Sequence, residues 1–438
     1  MRSTMSTVYL GTLAHLKANP FETSNALEII EYGALWVDEK GMIIDYGKRS
    51  DILAKVPEAW IEDYDDAWLI PGMIDGHVHY PQYYATAAQG GQLLDWLVQS
   101  ILPAETAFAD PAFANDTAKR FIKHLLSCGT TTAMVFGSQF AHANEALFNA
   151  ARELGIRLIA GATLMDTPAD GIPDALLQTP KQAQADAEKL IAICRDEPLL
   201  HYAITPRYAL SCSEEMMMMC HGLLHNHPET YLQTHINENR NEIRAVLAHF
   251  NQCKDYLEVY ERYGLVTDRT VLAHNIHPSD GELDRIGQAQ CSICHCPSSN
   301  LFLGSGLFPL SRHIKHGINI ALGTDIGAGV SFSLWSNLSD AYKIQQLQGL
   351  SLNPEHLLYL ATLGGAKALH LENETGNFST GKSADFFVLD YTRSDYLSER
   401  LRRCNSLEAQ LFCLLHLASE RQVESTYVRG RRVFFYPS

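Results

Sequence analysis

Short apolar runs alternate with longer stretches of helical periodicity through the middle of this chain. The runs are Met73–His79, Thr131–Phe136, Arg157–Leu164, Tyr202–Pro206, Tyr231–Ile236, Thr270–His274, Ser292–Cys296 and Ile318–Gly323. Their length and apolar character suit strands buried on both faces of a parallel sheet. Stretches such as Asp116–Leu126, Asn144–Leu154 and Gln184–Cys194 repeat their apolar positions at helical spacing and fill the gaps. Repeated βα units of this kind predict a (β/α)8 TIM-like barrel, whose usual size is about 250 residues.

The two ends of the chain have a different texture. Ala34–Asp38, Lys40-Gly41 and Met42–Tyr46 read as a hairpin. Ala384–Leu389 reads as a strand, and Val423–Val428 with Arg432–Phe435 flank Arg429-Gly430 as a second hairpin. The expected organisation is therefore an α/β barrel over residues 71–374. Residues 1–70 and 375–438 together would build a small β-sandwich domain.

Composition narrows the partners. A chain of 438 residues is long for one ordinary compact domain and fits a large barrel with a second unit. It carries 50 acidic against 34 basic side chains, a formal charge of −16. Such a surface repels phosphate backbones and anionic lipid, which argues against nucleic acid or membrane as a partner. No apolar stretch is long enough to cross a bilayer. Met1 to Leu16, with Arg2, Thr4 and Ser6, lacks the apolar block and cleavage site of a signal peptide. The ten cysteines are scattered and read as reduced thiols, so a cytoplasmic location is expected. Cys291, Cys294 and Cys296 cluster, but in an apolar run where small thiols serve as strand filling rather than metal ligands. Met216–Met219 follow Ser211-Cys-Ser-Glu214, a helix-capping pattern, and read as packing.

A barrel places its chemistry at the carboxyl ends of its strands, and the reactive residue types gather there. His77 and His79 end the first run, Arg207 follows the fourth, and His235 and Glu238 lie at and beyond the end of the fifth. His274 ends the sixth and Asp325 follows the eighth. Residues two apart on a strand point the same way, so His77 and His79 converge on one site. His235 and Asp325 are the proposed third and fourth ligands. Three imidazoles and a carboxylate suit zinc or iron(II) better than magnesium. Zinc lowers the pKa of a coordinated water to about 7, which makes hydroxide available at neutral pH.

Each residue has a plainer reading beside this one. Asp325, within Gly323-Thr-Asp-Ile-Gly-Ala-Gly329, suits an Asx turn or a helix cap, and Glu238 suits the first turn of a surface helix. Otherwise Glu238 is placed to move a proton between water and a ring nitrogen. His274 is a satisfied core histidine, or it holds the attacking oxygen.

Pro71-Gly-Met-Ile-Asp-Gly-His-Val-His79, Thr234-His235, Ala273-His274 and Gly323-Thr-Asp325 resemble, in order and spacing, the amidohydrolase superfamily. The finer motifs are similar to its guanine deaminase family. They are His79-Tyr-Pro-Gln82, Leu93-Leu-Asp-Trp96, Pro206-Arg-Tyr208 with Ser211-Cys-Ser213, His235-Ile-Asn-Glu-Asn239, Cys296-Pro-Ser-Ser-Asn-Leu301 and Gly323-Thr-Asp-Ile-Gly-Ala-Gly329. Gly76 and Asn275 depart from that pattern, which often has Thr and Cys there.

The resemblance implies one zinc ion per subunit, with iron(II) as an alternative, held by His77, His79, His235 and Asp325. It implies proton transfer by Glu238, placement of the nucleophile by His274, and Asp325 as a further base. Gln82, Arg207, Tyr208, Trp96, His235 and Glu238 would bind the purine base. The implied reaction is hydrolysis of guanine to xanthine and ammonia by a cytoplasmic homodimer. A related deaminase or chlorohydrolase acting on another heterocycle shares this chemistry. A barrel that has lost catalysis is the remaining alternative, and the full set of ligand types weighs against it.

Overall fold

The computed structural model describes residues 5–56 and 58–436. Arg2 and Thr4, within the leading segment read for a signal, lie outside the described residues. All eight apolar runs are strands, hydrogen-bonded to one another in chain order and parallel throughout. They are Met73–His79, Thr130–Phe136, Arg157–Gly161, Leu200–Pro206, Tyr231–Ile236, Thr270–His274, Ser292–His295 and Ile320–Leu322. The third run is split, and its end, Thr163–Leu164, pairs separately with the fourth strand. The circle closes through the segment after the eighth strand. There the Asp325 N–H donates to the His77 carbonyl at 2.8 Å, and the His79 N–H to Ile326 at 3.2 Å.

The barrel is packed rather than open. Ile74, Met134, Ile159, Ala203, Tyr231, Val271, Cys294 and Ala321 form one buried cluster, with one residue from each strand in turn. Alternation of side chains along each strand produces this layer, and the intervening residues face the helices. Cys294 therefore does fill the core, and the run around it is fully buried.

Two helices begin earlier than their apolar spacing indicates, at Pro111–Ser127 and Pro180–Cys194. Asp110 and Thr179 cap them by accepting from the backbone N–H of Ala112 and Gln182. Proline at the first helical position needs no hydrogen bond there, so a cap followed by Pro extends the helix by a turn. The Met216–Met219 segment lies in a helix, Glu214–Asn226, but its cap is Ser213, not Ser211. Met216 and Met217 are buried as expected, whereas Met218 is exposed.

The β-rich ends of the chain meet in one continuous seven-stranded sheet. Its order is 431–435, 423–428, 386–389, 60–71, 7–16, 27–37, 43–48. The C-terminal strand Phe386–Leu389 pairs antiparallel with Trp68–Pro71, immediately before the first barrel strand. Both expected hairpins are present. Buried Arg157, at the start of the third barrel strand, reaches Glu374 at 2.7 Å and Asp385 at 3.4 Å, tying the barrel floor to the returning chain.

Candidate active site

The period of two along the first strand brings His77 and His79 to the same mouth, their ring centres 4.9 Å apart. The ends of the fifth and eighth strands deliver His235 and Asp325 to them. One ligand atom from each of these four residues lies within 4.8 Å of the others. Nε2 of His77 and Nε2 of His79 are each 3.2 Å from Asp325 Oδ1, and His79 Nε2 is 3.3 Å from His235 Nε2. Ligands on zinc bonds of about 2.0–2.1 Å stand about 3.3 Å apart in a tetrahedron, so the donor set fits a small divalent cation.

Tautomers support that fit. His235 Nδ1 is 2.6 Å from the carbonyl of Arg207. It must donate there, which leaves the Nε2 lone pair facing the centre. His77 Nε2 is buried without a well-aligned hydrogen-bond partner, as expected of a ligand atom. Burial holds His79 down at about 4 and keeps His77 and His235 below the usual imidazole range, so all three are neutral near pH 7. Burial alone would raise Asp325, but His77, His79 and His274 around it hold it well below the usual carboxylate range. Neutral imidazoles and an ionised carboxylate are the forms that bind metal.

Glu238 and His274 sit beside this group. His274 Nε2 is 3.5 Å from Glu238 and 3.6 Å from Asp325, while its Nδ1 is 2.8 Å from the Asn300 side-chain oxygen. Burial and the charge of Asp325 push Glu238 up to about 8, and the Ser305 hydroxyl donates to it at 3.2 Å. A carboxyl tuned into this range can both accept and deliver a proton at neutral pH. Glu238 is not a helix residue: Asn239 caps the helix Arg240–His249 that follows. Asn237, His274, Asn275 and Asp325 all have positive φ, at 50°, 69°, 46° and 48°. Such backbone costs about 1–3 kcal/mol per residue and gathers where a site dictates side-chain direction.

A concave cavity lies above the ligands, mixing apolar walls with convergent polar groups as small-molecule sites do. His79, Gln82, Arg207, Tyr208, His235, Glu238, His274 and Asp325 supply its polar lining. Trp96 forms an apolar wall with Leu93, Leu97, Leu303 and Ala328, and its ring N–H is tied to the Ala88 carbonyl at 2.9 Å. Gly323 and Gly327 permit this closeness. A Cβ on Gly323 would lie 2.8 Å from His77 Cβ, and one on Gly327 would lie 3.1 Å from Gln82.

Several residues in the site carry no strand-end signal in the sequence. Glu105 is fully buried and binds both Arg207 and Gln82. It lies in a short helix, Leu102–Glu105, between the first strand and its main helix, where no periodicity marks it. Glu242 lines the cavity and accepts from the backbone N–H of Glu238 and Asn239. The Asn239-x-x-Glu242 capping box was its available signal. Cys296, by contrast, ends the seventh apolar run; it joins His77, His274 and Asp325 in a second close group, so it borders the site as well as filling the core. Asn275 turns away from the cavity and bonds Asn237 and His313 instead.

A parallel barrel with three histidines and an aspartate at its carboxyl-end mouth defines a metal-dependent hydrolase class. The amidohydrolase family model matches residues 68–433, and the chain belongs to that family. It is 42% identical over 434 residues to a probable guanine deaminase of Deinococcus radiodurans, covering 98% of each chain. The E. coli guanine deaminase structure superimposes with a TM-score of 0.94 at 38% identity, covering 99% of this chain and 100% of that one. Guanine deaminase from C. acetobutylicum, solved with guanine in its active site, gives a TM-score of 0.90 at 29% identity, covering 98% and 100%.

Proposed function

We propose that this chain hydrolyses guanine to xanthine and ammonia with one zinc ion per subunit. The observation that carries the reading is the convergence, around one cavity, of the four-ligand group with Glu238, Arg207 and Gln82. Zinc would be held by His77, His79, His235 and Asp325 and would supply Lewis acidity, bringing the pKa of water from about 15.7 towards 7.

The chain's own residues supply the rest. Arg207 and Gln82 offer N–H donors for the polar edge of the ring, and Trp96, with Leu93 and Leu97, provides an apolar face for it. A site built to bond a ring carbonyl rejects a base without one by a large factor. Glu238 takes a proton from the attacking water, passes it to a ring nitrogen, and returns a proton to the departing amine. The carbon–oxygen bond forms first, leaving the carbon tetrahedral with one of water's protons on the ring nitrogen; the carbon–nitrogen bond then breaks as the second proton moves to the departing ammonia. His274 fixes the water between Glu238 and Asp325, and Asp325 serves as a further base.

We further infer division of the chain at 70/71 and 374/375, homodimeric assembly, and work in the cytoplasm. The last is supported by ten cysteines without a disulfide. The test is ultraviolet absorbance and ammonia release from zinc-loaded protein with guanine, adenine, cytosine, a pterin and a triazine. Guanine should be turned over fastest. A faster reaction with another heterocycle, or none with any, would refute the assignment.

A further inference from the structure

Arg207 is not a free cation at the reading end of the cavity. Its two terminal nitrogens donate to separate oxygens of Glu105, at 2.7 and 3.1 Å. Gln139 donates to the same carboxylate at 2.8 Å and Gln82 at 3.1 Å. Glu105 is fully buried and Arg207 nearly so. Burial would raise the Glu105 carboxyl, but the Arg207 guanidinium and the hydrogen bonds hold it below the usual range. The pair is thus ionised on both sides and electrically closed.

The same carboxylate also sets Gln82. The amide nitrogen of Gln82 gives one of its two N–H groups to Glu105, and its oxygen accepts from the Gly327 N–H at 3.2 Å. One buried side chain therefore orients both reading residues.

Charge follows from this geometry. A buried guanidinium without a counter-ion draws in anions strongly, because little water screens it. With Glu105 beside it, Arg207 offers directed N–H groups but no net charge. Guanine is neutral at pH 7. Exchange of its exocyclic amine for oxygen makes the ring N–H groups more acidic, so xanthine begins to ionise near neutrality.

We propose that Glu105 is a positioning residue that neutralises Arg207, so that the cavity accepts the neutral base and discriminates against anionic rings, ionised xanthine included. This rests on the guanine-hydrolase reading and adds to it a selection by charge that favours product release.

The experiment measures xanthine as a competitive inhibitor of guanine turnover at pH values about one unit below and one unit above the ionisation of xanthine. Zinc-loaded wild type, Glu105→Gln and Glu105→Asp are compared through the ratio of guanine KM to xanthine Ki. In the wild type the ratio should fall about tenfold as xanthine ionises. In Glu105→Gln the ratio at the higher pH should rise about tenfold over wild type, with binding turned towards the anion. Glu105→Asp keeps the charge and should keep the wild-type ratio, even if both constants weaken.

Equal changes in KM and Ki in Glu105→Gln would mean a merely structural role and overturn the proposal. If that variant does not fold, the wild-type pH series still decides: inhibition that strengthens as xanthine ionises overturns the proposal. Wild type that fails to deaminate guanine refutes the functional reading instead.

Discussion

Asp75 and Thr324 stand 249 residues apart, yet the carboxylate of one takes both donors of the other: the Thr324 N–H at 3.0 Å and its hydroxyl at 2.5 Å. Both side chains are completely buried. This contact joins the first barrel strand to the turn after the eighth and sets the residue just before Asp325. Asp75→Asn puts an amide N–H against one of these donors. It should cost about 2–4 kcal/mol of stability and lower metal content as Asp325 drifts. Thermal melting with elemental analysis checks both, and full metal content in a destabilised variant would confine Asp75 to barrel closure.

Metal removal should separate folding from chemistry. A chelator is expected to abolish turnover and lower the melting temperature, and added zinc should restore both. Bound metal at 100 times its Kd contributes about 2.7 kcal/mol to stability. His235→Ala should fail to retain metal after dialysis. Retention of one equivalent in that variant would remove His235 from the ligand set.

Glu238→Gln keeps the shape of the side chain and loses its proton. The variant should bind one metal ion and melt near the wild type, with kcat reduced about 10²–10⁴-fold. Turnover within a factor of a few of wild type would exclude Glu238 as the proton carrier.

Glu242 holds Glu238 from behind. Its Oε2 accepts the Glu238 N–H at 3.1 Å, and its Oε1 accepts the Tyr256 hydroxyl at 2.8 Å. Glu242→Gln is expected to lower kcat about tenfold, with a stability loss of about 1–3 kcal/mol. A loss of stability with kcat intact would mark the contact as a helix cap only.

His313 predicts part of the acid sensitivity. Its Nδ1 donates to the Pro309 carbonyl at 3.0 Å, and its Nε2 accepts from Asn275 at 3.0 Å, so the ring is neutral in the fold. Burial holds its pKa down at about 4. The unfolded chain, near 6.5, therefore takes up the proton first. The stabilisation is complete above about pH 6.5 and is lost as pH falls towards 4, up to about 3 kcal/mol. Denaturant melts of wild type and His313→Gln across that window should show a shallower fall in the variant; parallel curves would contradict the assignment.

Much of the site was legible before folding was considered. His77 and His79 are two apart on a strand, so their direction follows from the strand period alone. His235, His274 and Asp325 sit at or just past the ends of apolar runs, and a barrel puts all such ends on one face. Glu105 had no such signal, because it lies on a short helix within the connection after the first strand. Cys296 was read correctly for its packing but not for its neighbours, although it too ends an apolar run and the same rule places it at the mouth beside His77.

What the chain determines by itself is therefore the order of strands, the side each residue faces, and the residue types at the mouth. These depend on apolar periodicity within a few residues. The pairing of Glu105 with Arg207, the clamp of Asp75 on Thr324 and the ligand spacings near 3.2 Å were decided only by tertiary structure. Each depends on how closely packed strands and connections approach one another across the barrel, and a distance through space between residues far apart in sequence leaves no period along the chain to read.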